Sequence, residues 1–282
     1  MSELISRRRW KAWRSIVFSL LSAAAVAGCG GDGSFSVAGV GTGGTGSLAK
    51  QVSGKVADGY LANATVFLDK NGNYQLDAGE PFTTTDENGA YKLDLDPADV
   101  GKYPIVSLAV KGVTIDKDTN RPVVNSYVLS MPKESVNAVE GTNFISPITT
   151  QLREMMETGI FATTQHAVDK LRSKMKLSAE TSITTDYVAA NAPSIHITAS
   201  NIATLMGNQM EYVFVRNGQS GTVDVNRYRG MMGTIFSNMS STGGTKVQNF
   251  SSRIDDDIKK VLSKIAPTDT GQPYRNMSSA YR

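Results

Sequence analysis

The chain has 282 residues, a formal net charge of +3, one cysteine and two histidines. A lone thiol excludes an internal disulfide framework, and two histidines without further thiols leave too few ligands for an ordinary zinc centre. The length suffices for two modest domains, each with its own core.

Residues 1–28 open with Arg7, Arg8, Arg9, Lys11 and Arg14, continue through an apolar run at 16–26 and end in small residues. Basic, then apolar, then small is the layout of a secretory signal. The apolar run is too short for a bilayer, which takes about 20 such residues. Val26-Ala27-Gly28-Cys29 resembles the bacterial lipobox. That resemblance implies cleavage before Cys29, acylation of its thiol and attachment to a membrane. Acyl chains bury methylenes at about 0.8 kcal/mol each, so several on one residue hold firmly. Gly30, in place of Asp after the cysteine, implies sorting to an outer membrane, facing the periplasm or the cell surface. The arginines also loosely resemble a twin-arginine export signal. Loss of residues 1–28 removes five basic side chains and one acidic one, which turns +3 into −1. The basic excess belongs to the signal, so no nucleic-acid surface is expected.

Residues 29–49 follow Cys29 with a glycine-rich stretch that has little to bury and wide backbone freedom; it reads as a tether. A phosphate loop would need a strand before it and a helix after it, and the sequence offers neither.

Residues 50–140 predict strands. Segments 52–56 and 90–95 alternate, 64–68 and 105–110 are short apolar runs with β-branched members, and 123–131 adds a further strand. Asp58-Gly59, Asn71-Gly72, Asn88-Gly89 and Lys111-Gly112 separate them as turns. This spacing predicts an antiparallel sandwich. Between two of the strands, Asp69, Asn71, Asn73, Asp77 and Glu80 place oxygen side chains at positions 1, 3, 5, 9 and 12 of a loop, and Gln75 offers its backbone carbonyl. Hard Ca²⁺ takes six to eight oxygens, and a loop of this spacing can wrap it. Position 6 of the helix-loop-helix version is glycine, whereas here it is Tyr74, and the flanks are strand-like. Two readings stand: a calcium loop joining two strands, or a turn rich in Asp, Asn and Gly, as turns generally are.

The segments 52–59, 64–69, 77–81 and 83–91 together resemble the Sdr-type B repeats of bacterial adhesins and, more widely, prealbumin-like and carboxypeptidase-regulatory-like modules. The resemblance covers about 50–135. It implies a β-sandwich serving as stalk or interaction module, with Asp69, Asn71, Asn73, Asp77 and Glu80 as calcium ligands and Asp86 as a lesser candidate.

Residues 141–267 change period. Ser146-Pro147 marks a helix start, and stripes at helical spacing follow through Leu152 and Met155, through Val168 and Leu171, from Ile202 to Phe214, from Val225 to Phe236, and from Val247 to Ile265. The methionines read as core filling. Residues 178–194 read as a polar loop, His196 as a strand or loop edge, His166 as a surface residue and 268–282 as a flexible tail. The expectation is α+β with two domains: an antiparallel β-sandwich, then an all-α helical bundle. Net charges of −4 over 50–140 and +4 over 141–282 favour their docking, weakly once screened.

No nucleophile elbow, dinucleotide fingerprint or phosphate loop is present in the sequence. The expected function is therefore non-enzymatic: a lipid-anchored adhesion or assembly module of the cell envelope, steadied by calcium, with a protein or glycan partner. The alternative is a carbohydrate- or peptide-binding lipoprotein serving a transport or envelope machine, with a groove lined by Tyr212, Phe214, Tyr228 and Phe236. A hydrolase using scattered acids is a third reading.

Overall fold

In the computed structural model, β1 (Lys50–Val56) pairs antiparallel with β5 (Ala90–Leu95), Lys50 opposite Leu95 and Lys55 opposite Ala90. Along β5, Leu93 and Leu95 are buried while Lys92 and Asp94 face out, the period of two that the sequence predicts. The structure describes residues 49–215, 222–239, 248–265 and 278–282. Cys29, the signal and most of the tether lie outside them.

On its other edge β1 takes β10 (Asn143–Ile145) in parallel register, Gly54 opposite Asn143. This departs from the all-antiparallel expectation. A second sheet has the order β4-β3-β6-β9 and is antiparallel throughout: β4 is Phe82–Thr84, β3 Thr65–Leu68, β6 Ile105–Ala109 and β9 Tyr127–Met131. A third, small sheet joins β2 (Leu61–Ala62), β7 (Ile115–Asp116) and β8 (Arg121–Pro122). The strand expected over 123–131 is confined to β9. Val123 instead bonds back to Gly112 and Thr114 to close the preceding loop, and Val124 faces solvent.

All five residues of β9 are buried, so alternation is absent there. Helices cover it. The helix α1 (Pro147–Glu157) starts where expected: Ser146 Oγ accepts from Thr149 N–H, Thr149 Oγ1 accepts from Ser146 N–H, and Pro147 takes the first turn. Every residue from Pro147 to Met155 is buried. A helix buried on all sides has structure on all sides. Thr150 Oγ1 accepts from Ser130 N–H of β9, and Gln151 donates to the Met232 carbonyl of a later helix. The other helices are α2 (Thr164–Lys174), α3 (Pro193–Val213), α4 (Val225–Asn238), α5 (Gln248–Leu262) and α6 (Ser278–Tyr281).

The described residues 49–215, 223–239, 248–265 and 278–282 belong to one compact unit with one continuous apolar core. The hydrophobic period changes near residue 140. The change of hydrophobic period there marks a change of secondary structure, and the helices' apolar faces close over the sheet. Three further expectations change. The polar segment 178–192 sends Ile183 and Tyr187 into the core, Tyr187 Oη donating to the Ala57 carbonyl at 2.9 Å. His196 lies in the first turn of α3, which Pro193 opens. At the end of the tail, Tyr281 is buried with its ring 4.8 Å from that of Phe236.

Candidate functional site

The loop between β3 and β4 is built around Asp69, which follows directly on β3. Its Oδ1 accepts from the N–H groups of Gly72 (2.9 Å) and Asn73 (3.1 Å), and its Oδ2 accepts from Tyr74 N–H (3.2 Å). Asn71 Oδ1 accepts from Asn73 N–H, and Asn73 Oδ1 from Gln75 N–H. Both amide groups donate to Asp77 Oδ2 at 2.7 Å. Glu80 closes the loop, accepting from Lys70 N–H at 2.7 Å and Asp77 N–H at 3.0 Å. Burial lifts the Glu80 carboxyl above its ordinary range, against those two N–H groups, with the charges of Asp69 and Asp77 adding to the rise. Asp86, by contrast, caps its own turn through Asn88 and Ala90 N–H and lies outside this group.

At loop position 6, Tyr74 has φ +62°, the left-handed backbone that glycine normally supplies there. Strain at that residue is offset by its side chain. The Tyr74 ring lies under the Arg153 guanidinium at 3.9 Å and beside Tyr228 at 4.6 Å, and its hydroxyl donates to Glu154.

Arg153 is the residue that sequence reasoning missed. It projects from α1, is fully buried, and donates through Nη2 to Asp69 Oδ2 at 2.8 Å and through Nε to Glu157 at 2.8 Å. Arg229 of α4 bonds Glu157 as well and approaches Glu154 at 3.8 Å. Burial alone opposes charge on Arg153, yet Tyr74, Asp69 and Glu154 hold its pKa above the usual value. Burial raises the Glu154 carboxyl, while Arg229, Tyr74 and Arg153 pull it down. One signal was available: charges at 153, 154 and 157 interleave with Leu152, Met155 and Met156, so the sequence of α1 sets no separate polar face apart.

Among the described residues no group of three or more His, Cys, Asp or Glu side chains is arranged as a metal cage. Asn71, Asn73, Asp77 and Glu80 nevertheless carry oxygens of the type a hard cation takes; here the two amide nitrogens meet at Asp77 Oδ2, while the two amide oxygens accept backbone N–H groups. Asp69 differs. Its two oxygens accept four N–H groups and its charge is matched by Arg153, so in this arrangement it shapes the loop from behind.

The aromatic groove is not assembled: Tyr228 and Phe236 lie in the core, and Tyr212 is exposed. His166 sits on the surface of α2 against Phe161. His196 Nε2 lies 2.6 Å from Asp118 Oδ2.

A second acid is perturbed. Asp58, in the turn after β1, takes the Tyr127 hydroxyl on Oδ2 at 2.7 Å, and its Oδ1 has no partner among the described residues. Burial pushes its carboxyl up to about 7, opposed by Tyr127 and aided by Asp116 and Asp118. The folded chain thus holds a proton that the unfolded chain gives up near pH 4. Stability from this group is full below that pH, falls as pH rises and is gone above about 7. Asp58→Asn is expected to stabilise the protein at pH 8 by on the order of 2–4 kcal/mol and to change little at pH 4. Urea midpoints at the two pH values check this; equal shifts at both would refute it.

No described helix is long and apolar enough to cross a membrane. No family model matches the chain, and no curated protein and no solved structure is similar to it.

Proposed function

We propose that this protein is a lipid-anchored module of the cell envelope, held to an outer membrane through Cys29, whose loop 69–80 takes up calcium and stiffens a face for a protein or glycan partner. In this reading the two larger sheets are the leaves of a sandwich, the tether spaces it from the membrane, and the protein carries out no catalysis. The observation that supports it best is Tyr74, which keeps the left-handed turn of a calcium loop although it is not glycine. Asn71, Asn73, Asp77 and Glu80 would hold the ion, with the Gln75 carbonyl, while Asp69 anchors the loop to Arg153.

Calcium that binds the folded chain alone stabilises it by mass action, about 2.7 kcal/mol at a hundredfold excess over Kd. Thermal unfolding is expected to shift upward by several degrees between chelator and millimolar calcium, and Asp77→Asn is expected to abolish the shift. An identical transition in both conditions removes the calcium reading.

A further inference from the structure

Beside the loop lies a cavity of about 600 Å³ that the calcium reading leaves unused. That volume suits a small ligand. Its wall joins the loop, through Asp69 and Lys70, to α1 and α4, through Arg153, Glu157 and Arg229, with Lys102 and Lys133 from two other loops. Arg153 is the informative member. Its Nε and Nη2 are bonded to Glu157 and Asp69, but Nη1, also buried, has no acceptor among the described residues. A buried guanidinium nitrogen left without an acceptor is uncommon, because desolvating it without a partner costs about 1–3 kcal/mol or more.

The surrounding charges indicate what an acceptor would be. Asp69 and Glu157, the acids nearest Arg153, are already bonded to it, and Arg229 shares Glu157. Lys70 is paired with Asp99 at 2.7 Å. Lys102 lies over the Tyr103 ring at 5.0 Å, with no carboxylate within ion-pair distance among the described residues, and the same holds for Lys133. Glu134 is the remaining acid in the wall and is exposed. Tyr103, Pro104, Pro132 and Met156 supply apolar surface.

We propose that this cavity binds a small ligand through an oxyanion group, a phosphate or a carboxylate, with Arg153 as the buried cation of its wall and Lys102 and Lys133 as further cations there. Planar guanidinium groups suit such oxygens because two N–H bonds meet two oxygens at once. The site is separate from the oxygen donors of the calcium reading and shares only the Asp69–Arg153 pair with them.

The full chain in detergent, with chelator present, is titrated calorimetrically with inorganic phosphate and separately with acetate, at constant ionic strength kept with sodium chloride. Saturable binding of one of them is expected, and the arm that saturates identifies the group as phosphoryl or carboxylate. The Lys102→Gln/Lys133→Gln double variant, altered at exposed positions, is expected to bind at least tenfold more weakly. Arg153→Lys, where it folds, is expected to lose saturable binding. Absence of saturation with both anions overturns the proposal, and so does unchanged affinity in the double lysine variant.

Discussion

Replacing Arg153 with leucine is expected to lower the unfolding free energy by about 3–5 kcal/mol, the range for a buried ion pair that loses one member. Both side chains of the Arg153–Asp69 pair are fully enclosed. Without the guanidinium, Asp69, Glu154 and Glu157 face Arg229 alone, and Asp69 keeps its backbone N–H bonds but no counter-charge. The Tyr74 ring also loses the cation that stacks on it. Asp69→Asn leaves Glu154 and Glu157 opposite Arg153 and Arg229, which balance. It is therefore expected to cost less than Arg153→Leu, its main penalty coming from an amide nitrogen turned toward N–H donors. The Asp69→Asn/Arg153→Leu double variant is expected to recover part of the sum, with a coupling of about 1–3 kcal/mol. Urea unfolding of the four proteins at neutral pH measures this cycle. A loss below about 1 kcal/mol for Arg153→Leu would mean that the pair contributes little and that Asp69 is held by its N–H bonds alone.

Gly54→Ala is expected to be as severe, for a steric reason. A Cβ at Gly54 would sit 1.8 Å from the Asn143 carbonyl oxygen and 2.5 Å from its carbon. These are backbone atoms of the neighbouring strand, so no rotamer relieves the overlap. Strand β10 would have to move off β1, breaking the parallel pairing and straining the bonds that Asn143 makes with the Tyr91 hydroxyl at 3.0 Å and the Ser53 carbonyl at 3.0 Å. The shift would pass to Ser146 and Pro147 and so to the start of α1. A loss above about 3 kcal/mol is expected, in the class of large effects tied to a named steric cause. Gly230→Ala is the control. Its nearest neighbour is the Ile265 Cδ1 atom at 2.2 Å, the tip of a flexible side chain. In a helix, alanine also has the better propensity, by about 1 kcal/mol. A near-neutral result there, beside a large loss at Gly54, is the expected pattern in thermal unfolding; similar losses at both sites would refute the backbone argument.

The shared cause of these two predictions is long-range pairing. Arg153 meets Asp69 across 84 positions of sequence. The Asn143 side chain reaches the Ser53 carbonyl across 90. The calcium and oxyanion readings both depend on the first of these pairs, because it sets the back of loop 69–80 and one wall of the cavity. The two remain separable: calcium is read from melting, the anion from binding in chelator.

Local features were legible from residues alone. The alternation over 90–95 predicts β5, Ser146-Pro147 predicts the start of α1, and the apolar stripe at 254, 258 and 262 predicts the buried side of α5. Each of these signals spans a few residues, and backbone geometry converts such spacing directly into a face. The oxygen-rich composition of loop 69–80 was legible in the same way. Tertiary structure alone decided which faces meet. It turned Asp69 toward Arg153, enclosed the charged helix α1 from Pro147 to Met155, brought β10 alongside β1 in parallel, carried Tyr281 into the core and merged sheets and helices into one unit. None of these follows from periodicity, since a buried arginine and an exposed one have the same neighbours in sequence. The difference lies in the partner that desolvation demands, and here that partner comes from a distant segment.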